Sequence, residues 1–126
     1  MKVQHFEQAA ASLVKMEGAT GCQVRQLIND KDGAPNFAMR QFEVAPGGHT
    51  PKHHHPYEHE VYVIAGAGIV LEGDQPREIK AGDVIYVAPD DVHQFQNVGE
   101  TPLKFLCLVP NSANNAQFVA KPECAE

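Results

Sequence analysis

The chain has 126 residues, of which 43% are hydrophobic and 21% are charged, and its formal net charge at pH 7 is −6. This balance predicts one globular domain with its own core, and the dispersed lysines and arginines argue against a nucleic-acid-binding protein. Three widely spaced cysteines and the lack of a long apolar run lead us to expect a cytoplasmic protein with no membrane span.

The elements predicted in chain order are almost all short strands. Residues 1–20 form an N-terminal arm, either a short helix or an extended segment on another subunit. Residues 21–110 contain seven strand candidates separated by turns: CQVRQLI, FAMRQFEV, EVYVIAG, GIVLEG, DVIYVA, VHQFQNV and LKFLCLV. No helix separates them, so the pattern predicts an all-β sandwich or barrel. Residues 111–126 are polar and are expected to pack as a tail on or beside the barrel.

Five of the seven histidines lie close together, between residues 49 and 59. Side chains alternate along an extended chain, so His53 and His55 share one face while His54 takes the other. The competing interpretation is a solvated, histidine-rich loop. His49, in a turn, and His5, near the N-terminus, are expected to be solvent-exposed.

Two further histidines are placed to converge on that pair. Residues 59–65 read as the next strand, on which His59 faces the same side as the pair and Glu60 faces away. His93 opens a later strand, after one more pair of strands, and can close a site across a barrel. Imidazole is a favoured ligand of divalent transition metals, so the pattern predicts a metal site.

The histidine segment resembles the first sequence signature of the cupin family. The matching residues are Gly47, His53, His55 and Gly66. The glutamate ligand that is usual in this signature is replaced by His59, and Glu60, one position later, remains an alternative ligand. The gap between this signature and the next, residues 67–81, predicts a plain connection of two strands.

The second cupin signature lies in register around the fourth histidine. The matching residues are Gly82, His93 and Asn97. Ala88 and Asp90 depart from the signature, and Asp90 has to adopt the backbone conformation of the glycine that usually stands there.

The resemblance is closest to small single-domain cupins that hold their metal with four histidines, some of which contain manganese. It implies a double-stranded β-helix, the cupin jelly-roll barrel, which is commonly a homodimer. The implied ligands of one divalent ion are His53, His55, His59 and His93. Manganese or iron is the first expectation, with nickel, copper or zinc as alternatives. Four neutral ligands leave the ion its full charge, which suits oxygenase chemistry or Lewis-acid isomerisation.

Five residues are candidates for the pocket beside the metal. Phe42, Phe95 and Phe105 line a substrate pocket or simply fill the core. Cys107 is either an inward thiol at the metal cavity or an inert buried hydrophobe, and Arg40 either steers an anionic substrate or lies on the surface.

The sequence as a whole predicts a metal-dependent, oxygenase-type enzyme acting on a small oxygen-bearing organic molecule. The alternatives are a cupin that binds or senses a small molecule through its metal without catalysis, and an ion that only stabilises the barrel.

Overall fold

The computed structural model describes residues 1–111 and confirms the predicted all-β fold. The strands are β1 (Ala11–Leu13), β2 (Thr20–Ile28), β3 (Phe37–His49), β4 (His59–Ala65), β5 (Ala67–Glu72), β6 (Gln75–Lys80), β7 (Val84–Val87), β8 (His93–Gln96) and β9 (Leu103–Pro110). Single-turn 3-10 helices span Phe6–Gln8 and Asp30–Asp32. None of the helices described is long and apolar enough to cross a bilayer. The predicted C-terminal tail lies outside the described residues from 112 onward.

One curled antiparallel sheet forms the body of the fold. Its hydrogen-bonded order is β6-β5-β8-β3-β9-β4-β7, with β2 added beside β3 and β1 beside β2. The 13-residue strand β3 belongs to both halves, because residues 37–44 pair with β9 whereas His49 pairs with Gln96 of β8. The two halves therefore face each other across the core, and the terminal strands β6 and β7 flank an open seam.

The core lies between the two halves and follows the predicted alternation of side chains. On β9 the inward residues Leu103, Phe105, Cys107 and Val109 are at most 4% exposed, while the residues between them are half-buried. Phe105 stacks on Phe42 from β3 and on Phe95 from β8, with ring centroids 5.4 and 4.5 Å apart. This aromatic layer joins the halves directly beneath the histidines.

Two strands of the structure were not among the seven predicted. Strand β6 reads Gln-Pro-Arg-Glu-Ile-Lys and buries only Ile79, so it has no apolar alternation to reveal it. It pairs with β5 to form the two-strand connection expected between the signatures. Strand β1, exposed at all three residues, pairs with β2 of the same chain, so these three residues extend the sheet and are not helical.

The turn before β8 adopts the backbone conformation expected from the signature. Among residues 1–111, Asp90 is the one non-glycine residue with a positive φ, at 67°. Its backbone N–H donates to the carbonyl oxygen of His55 at 2.7 Å. The unusual turn thus ties the loop that precedes His93 to the loop that carries His55.

Candidate metal centre

The histidines lie on segments from both halves of the sheet. After β3 ends, the chain continues beside β8, where His53 and His93 exchange two backbone hydrogen bonds of 3.0 and 3.1 Å. Residues directly opposite in an antiparallel pair point to the same face, so both rings enter the interior. His59 opens β4 in the opposite half and meets them from the other side.

Burial follows the alternation predicted for this segment. His55, His59 and His93 are 3 to 4% exposed, and His53 is partly buried. The side chain of His54 remains 61% exposed beside Asp90. Glu60 also faces solvent.

Three of the four rings cluster, and the fourth lies beside them. The ligand nitrogens of His53, His55 and His93 lie within 4.8 Å of one another, and His59 Nε2 is 2.7 Å from His55 Nε2. Adjacent imidazole nitrogens bound to one ion at about 2.1 Å lie about 3 Å apart, and opposite ones about 4 Å apart. The cluster of His53, His55 and His93 therefore fits a single divalent transition-metal ion, and His59 adjoins this cluster through its contact with His55.

Contacts with backbone carbonyl groups fix three of the rings in the tautomer that metal binding requires. Their Nδ1 atoms contact carbonyl oxygens two residues away: Pro51 for His53 (2.9 Å), Tyr57 for His55 (2.9 Å) and Asp91 for His93 (2.8 Å). A carbonyl oxygen can only accept, so each Nδ1 carries the proton. Each Nε2 is then left with its lone pair, as in other metal-binding histidines.

His59 is held differently, by a side chain instead of a carbonyl group. Its Nδ1 is 3.0 Å from the sulfur of Cys107, and Arg40 Nη2 donates to the same sulfur at 3.4 Å. Burial lowers the pKa of His59 well below its usual value near 6.5, and the positive charge of Arg40 lowers it further, followed by the neighbouring histidines. His59 is therefore neutral at physiological pH, as ligation requires.

Two expectations for the surrounding residues need correction. Arg40 is 1% exposed, so the surface position considered for it is wrong; it lies opposite Cys107 in the register of β3 and β9 and points inward with Phe42. His49 was expected to be exposed, but it is half-buried, with its Nδ1 3.3 Å from Gln94 Nε2.

A small cavity of about 20 Å³ adjoins the rings. It is lined by Arg40, Phe42, Thr50, His53, His59, His93, Phe95, Phe105 and Cys107. All five candidate pocket residues from the sequence are in this lining. A space of this size holds an ion or one water molecule but no organic substrate.

A larger cleft opens at the seam of the sheet. Its volume is about 520 Å³, and it runs between the β5–β6 hairpin and β7, with His93 among the residues of its wall. This volume lies within the range of small-molecule sites. Among the clefts of this size, this one has a histidine of the cluster, His93, in its wall.

Sequence reasoning missed the residues that brace this centre. Tyr57 stacks on the ring of His55, with centroids 4.1 Å apart and planes inclined by 10°. The hydroxyl of Thr50 accepts from the backbone N–H of Phe95 at 2.9 Å. Asn97 matched the second signature, and the structure gives its role: its amide donates to the carbonyl oxygens of Val44 and Thr101, both at 2.8 Å.

Comparisons with known proteins agree with this architecture. The polyketide cyclase RemF from Streptomyces resistomycificus superposes with a TM-score of 0.84 and is 34% identical, covering 88% of this chain and 80% of its own. An uncharacterized protein of Methanocaldococcus jannaschii is 37% identical over 94 residues, 69% of this chain and 71% of its own. The oxalate-binding protein of Thermotoga maritima is 28% identical over 112 residues, 86% of this chain and 93% of its own.

The cupin-domain family model matches residues 40–109, more than half of the chain. The match begins at Arg40 on β3 and ends at Val109 on β9, so it contains all four inward histidines and the seam. With this match and the barrel-like fold, the chain belongs to the cupin family.

Proposed function

We propose that this cupin is a metal-dependent enzyme acting on a small oxygen-bearing organic molecule. The proposed ligands of one divalent ion are His53, His55, His59 and His93, with manganese or iron as the first candidates. The observation that carries the proposal is the cluster of His53, His55 and His93 with His59 beside it, four inward rings whose Nδ1 atoms all have protein partners. Rings fixed in this way need little reorganisation to bind a metal.

For the reaction we propose a ring-forming condensation within a polycarbonyl substrate. A carbon–carbon bond forms between an enolate carbon and a carbonyl carbon, and water leaves, so no oxidant is needed. The identity of 34% with the polyketide cyclase RemF, over most of both chains, supports this class. When bound, the ion supplies Lewis-acid polarisation of a carbonyl oxygen.

The residues around the rings suit such a substrate. Arg40 adds a fixed positive charge to the cavity wall, which favours an oxygen that becomes negative as the enolate forms. The stacked Phe42, Phe95 and Phe105 keep water away from this charge and so strengthen its effect. The body of the substrate would occupy the cleft at the seam, with its reacting oxygen directed past His93, which lines both the cleft and the small cavity.

The proposed metal binding is tested by elemental analysis of protein purified without a metal-affinity column. We expect elemental analysis to find about one divalent ion per chain, by the ligand count of such sites. His59→Ala should lose most of this metal, because it removes one ring from the centre, whereas His54→Ala should retain it, because that ring faces solvent. Equal metal content in the two variants would contradict the proposed ligand set.

The reaction is tested with a linear aryl polyketone under anaerobic conditions. We expect the metal-loaded protein, and not the metal-free protein, to give a product lighter by one water. The oxygenase chemistry predicted from the sequence would instead consume dioxygen in an oxygen-electrode assay. Failure of the loaded protein in both assays, across the five candidate metals, would overturn the enzymatic proposal.

A second candidate function is binding of a small carboxylate without turnover. The similarity to the oxalate-binding protein of Thermotoga maritima and the buried charge of Arg40 favour it. Calorimetry with oxalate on metal-loaded and metal-free protein, with acetate as the control ligand, tests it. Metal-dependent oxalate binding together with inactivity in both reaction assays would support this second candidate over the first.

A further inference from the structure

An ion pair lies in the wall of the cleft at the seam. Arg77 on β6 donates from Nη1 to the carboxylate of Glu72, at the end of β5, at 2.9 Å. Both side chains line the cleft, and they are 68 and 60% exposed. Exposed ion pairs of this kind contribute little to folding stability, so the fold itself does not require the pair.

The strand register directs this pair to the inner side of the sheet, where the histidines lie. Glu72 lies opposite His93 in the pairing of β5 with β8. Arg77 lies opposite Val70, which is 7% exposed, in the pairing of β5 with β6. Residues directly opposite in an antiparallel pair point to the same face. Both charged side chains therefore start from the same side of the sheet as His93.

The ion pair leaves part of the guanidinium group available to a ligand. Arginine carries five N–H donors in a rigid plane. Within residues 1–111, the hydrogen bond of the Arg77 side chain is the one from Nη1 to Glu72. The N–H groups on Nε and Nη2 can therefore donate to a molecule in the cleft, and such a planar pair matches the two oxygens of a carboxylate.

Arg77 is a single positive charge in an otherwise acidic cleft. Among the described residues that line the cleft, Arg77 is the one arginine or lysine, and Glu78, Asp83 and Asp91 line it in addition to Glu72. A ligand with several negative groups is repelled by these carboxylates, whereas one negative group is attracted at Arg77. The charge distribution therefore favours a ligand with one carboxylate.

The rest of the wall suits an uncharged body for the same ligand. Val70, Ile79 and Val87 are buried apolar residues that also line the cleft. Ile85 lines it as well and is half-buried. Small-molecule sites are commonly built from apolar side chains with a few charged groups that fix the orientation of the ligand. The cleft combines both features.

We propose that Arg77 determines substrate specificity by binding a carboxylate group of the substrate. The ligand class is a monocarboxylate with an uncharged, largely apolar body. This inference rests on the proposed function, because the carbonyl group that reacts would lie beside His93. Strand β5 separates β6 from β8, so the carboxylate at Arg77 and the carbonyl group at His93 belong to different parts of the molecule.

Calorimetry on the metal-loaded protein with two matched ligands tests the proposal. The ligands are para-acetoacetylbenzoate, a diketone with a remote carboxylate, and its uncharged methyl ester. We expect the carboxylate to bind about 10-fold more tightly than the ester, as for one charge-assisted contact.

Variants assign this preference to one side chain. Arg77→Gln should reduce it to about 1-fold, and Arg77→Lys should restore part of it, because lysine keeps the charge without the planar fork. The control is Lys80→Gln, which removes a charge of the same sign from the same strand. Lys80 is not among the residues that line the cleft, so this variant should keep the preference.

Three results would overturn the proposal: failure of both ligands to bind, equal affinity of the two ligands for the wild-type protein, and a preference that Arg77→Gln leaves unchanged. The last result would assign the carboxylate to the metal or to Arg40. An Arg77-dependent preference without any turnover of a polyketone would instead contradict the proposed reaction and support the role of Arg77.

Discussion

Four rings of the same kind are held at this centre by two kinds of partner. Three donate from Nδ1 to backbone carbonyl oxygens within their own loops. His59 alone depends on a side chain from another strand, the thiol of Cys107. In the tautomer that leaves Nε2 available, its Nδ1–H donates to this sulfur. The orientation of one proposed ligand therefore depends on a residue that a single substitution can remove.

Removing that thiol should weaken metal binding without abolishing it. In Cys107→Ala the ring of His59 loses its partner, and we expect the metal dissociation constant to rise about 10- to 100-fold, the usual cost of such a loss. Competition with a chromogenic chelator measures the change. Cys22→Ala is the control, since Cys22 is an equally buried free thiol on β2. Equal dissociation constants for the two variants would mean that Cys107 only fills space.

The sequence predicted the direction of the histidines better than it predicted their neighbours. Period-two alternation places His53, His55 and His59 inward without any knowledge of the fold. Arg40 also stands at an inward position of β3, but charged residues are so rarely buried that a surface position was considered for it. The contact between Cys107 and His59 depends on the pairing of β4 with β9, which local sequence does not specify.

At the scale of elements, two of the turns that join neighbouring strands use a glycine in a left-handed conformation. Gly66 joins β4 to β5 with φ +84°, and Gly73 joins β5 to β6 with φ +62°. A Cβ at Gly66 would stand 2.3 Å from the carbonyl oxygen of Pro102, whereas at Gly73 it would meet no atom within 4 Å. The first cupin signature ends at Gly66, which is also the one of these two glycines where packing leaves no room for a side chain.

These two glycines allow backbone strain to be separated from crowding. Gly73→Ala should lower the free energy of unfolding by about 1 kcal/mol, the cost of a left-handed conformation for an L-residue. Gly66→Ala should cost the same amount plus the displacement of Pro102, at least about 2 kcal/mol in total. Urea denaturation of the metal-free protein gives both values. Equal losses would show that the chain relaxes freely around Gly66.

The stability of the whole molecule should respond to pH through the burial of the His59 imidazole. The pKa of His59 is lowered in the folded protein and ordinary, near 6.5, in the unfolded chain. Above that value both states are neutral and stability is complete. Below about pH 6.5 the unfolded chain binds a proton at His59 that the folded protein does not bind, so the free energy of unfolding decreases as pH falls.

We therefore expect the metal-free protein to lose stability between pH 7.5 and 5.5. The slope contributed by His59 approaches about 1.4 kcal/mol per pH unit below 6.5. Chemical denaturation at several pH values measures it. His59→Gln should flatten the profile, whereas His54→Gln should not, because His54 is largely exposed. A profile unaffected by His59→Gln would contradict the assigned cause.

The open seam is the boundary at which two strands of the folded barrel are not hydrogen-bonded to each other. Strands β6 and β7 end the hydrogen-bonded order, and no ladder joins them within the described chain. Widening the gap between them breaks no backbone pairing, unlike separation at any other strand boundary. We therefore expect solutes to reach the region around His93 through small openings of this gap, without global unfolding. Loading a folded, metal-free sample should accordingly take far less time than a complete cycle of unfolding and refolding.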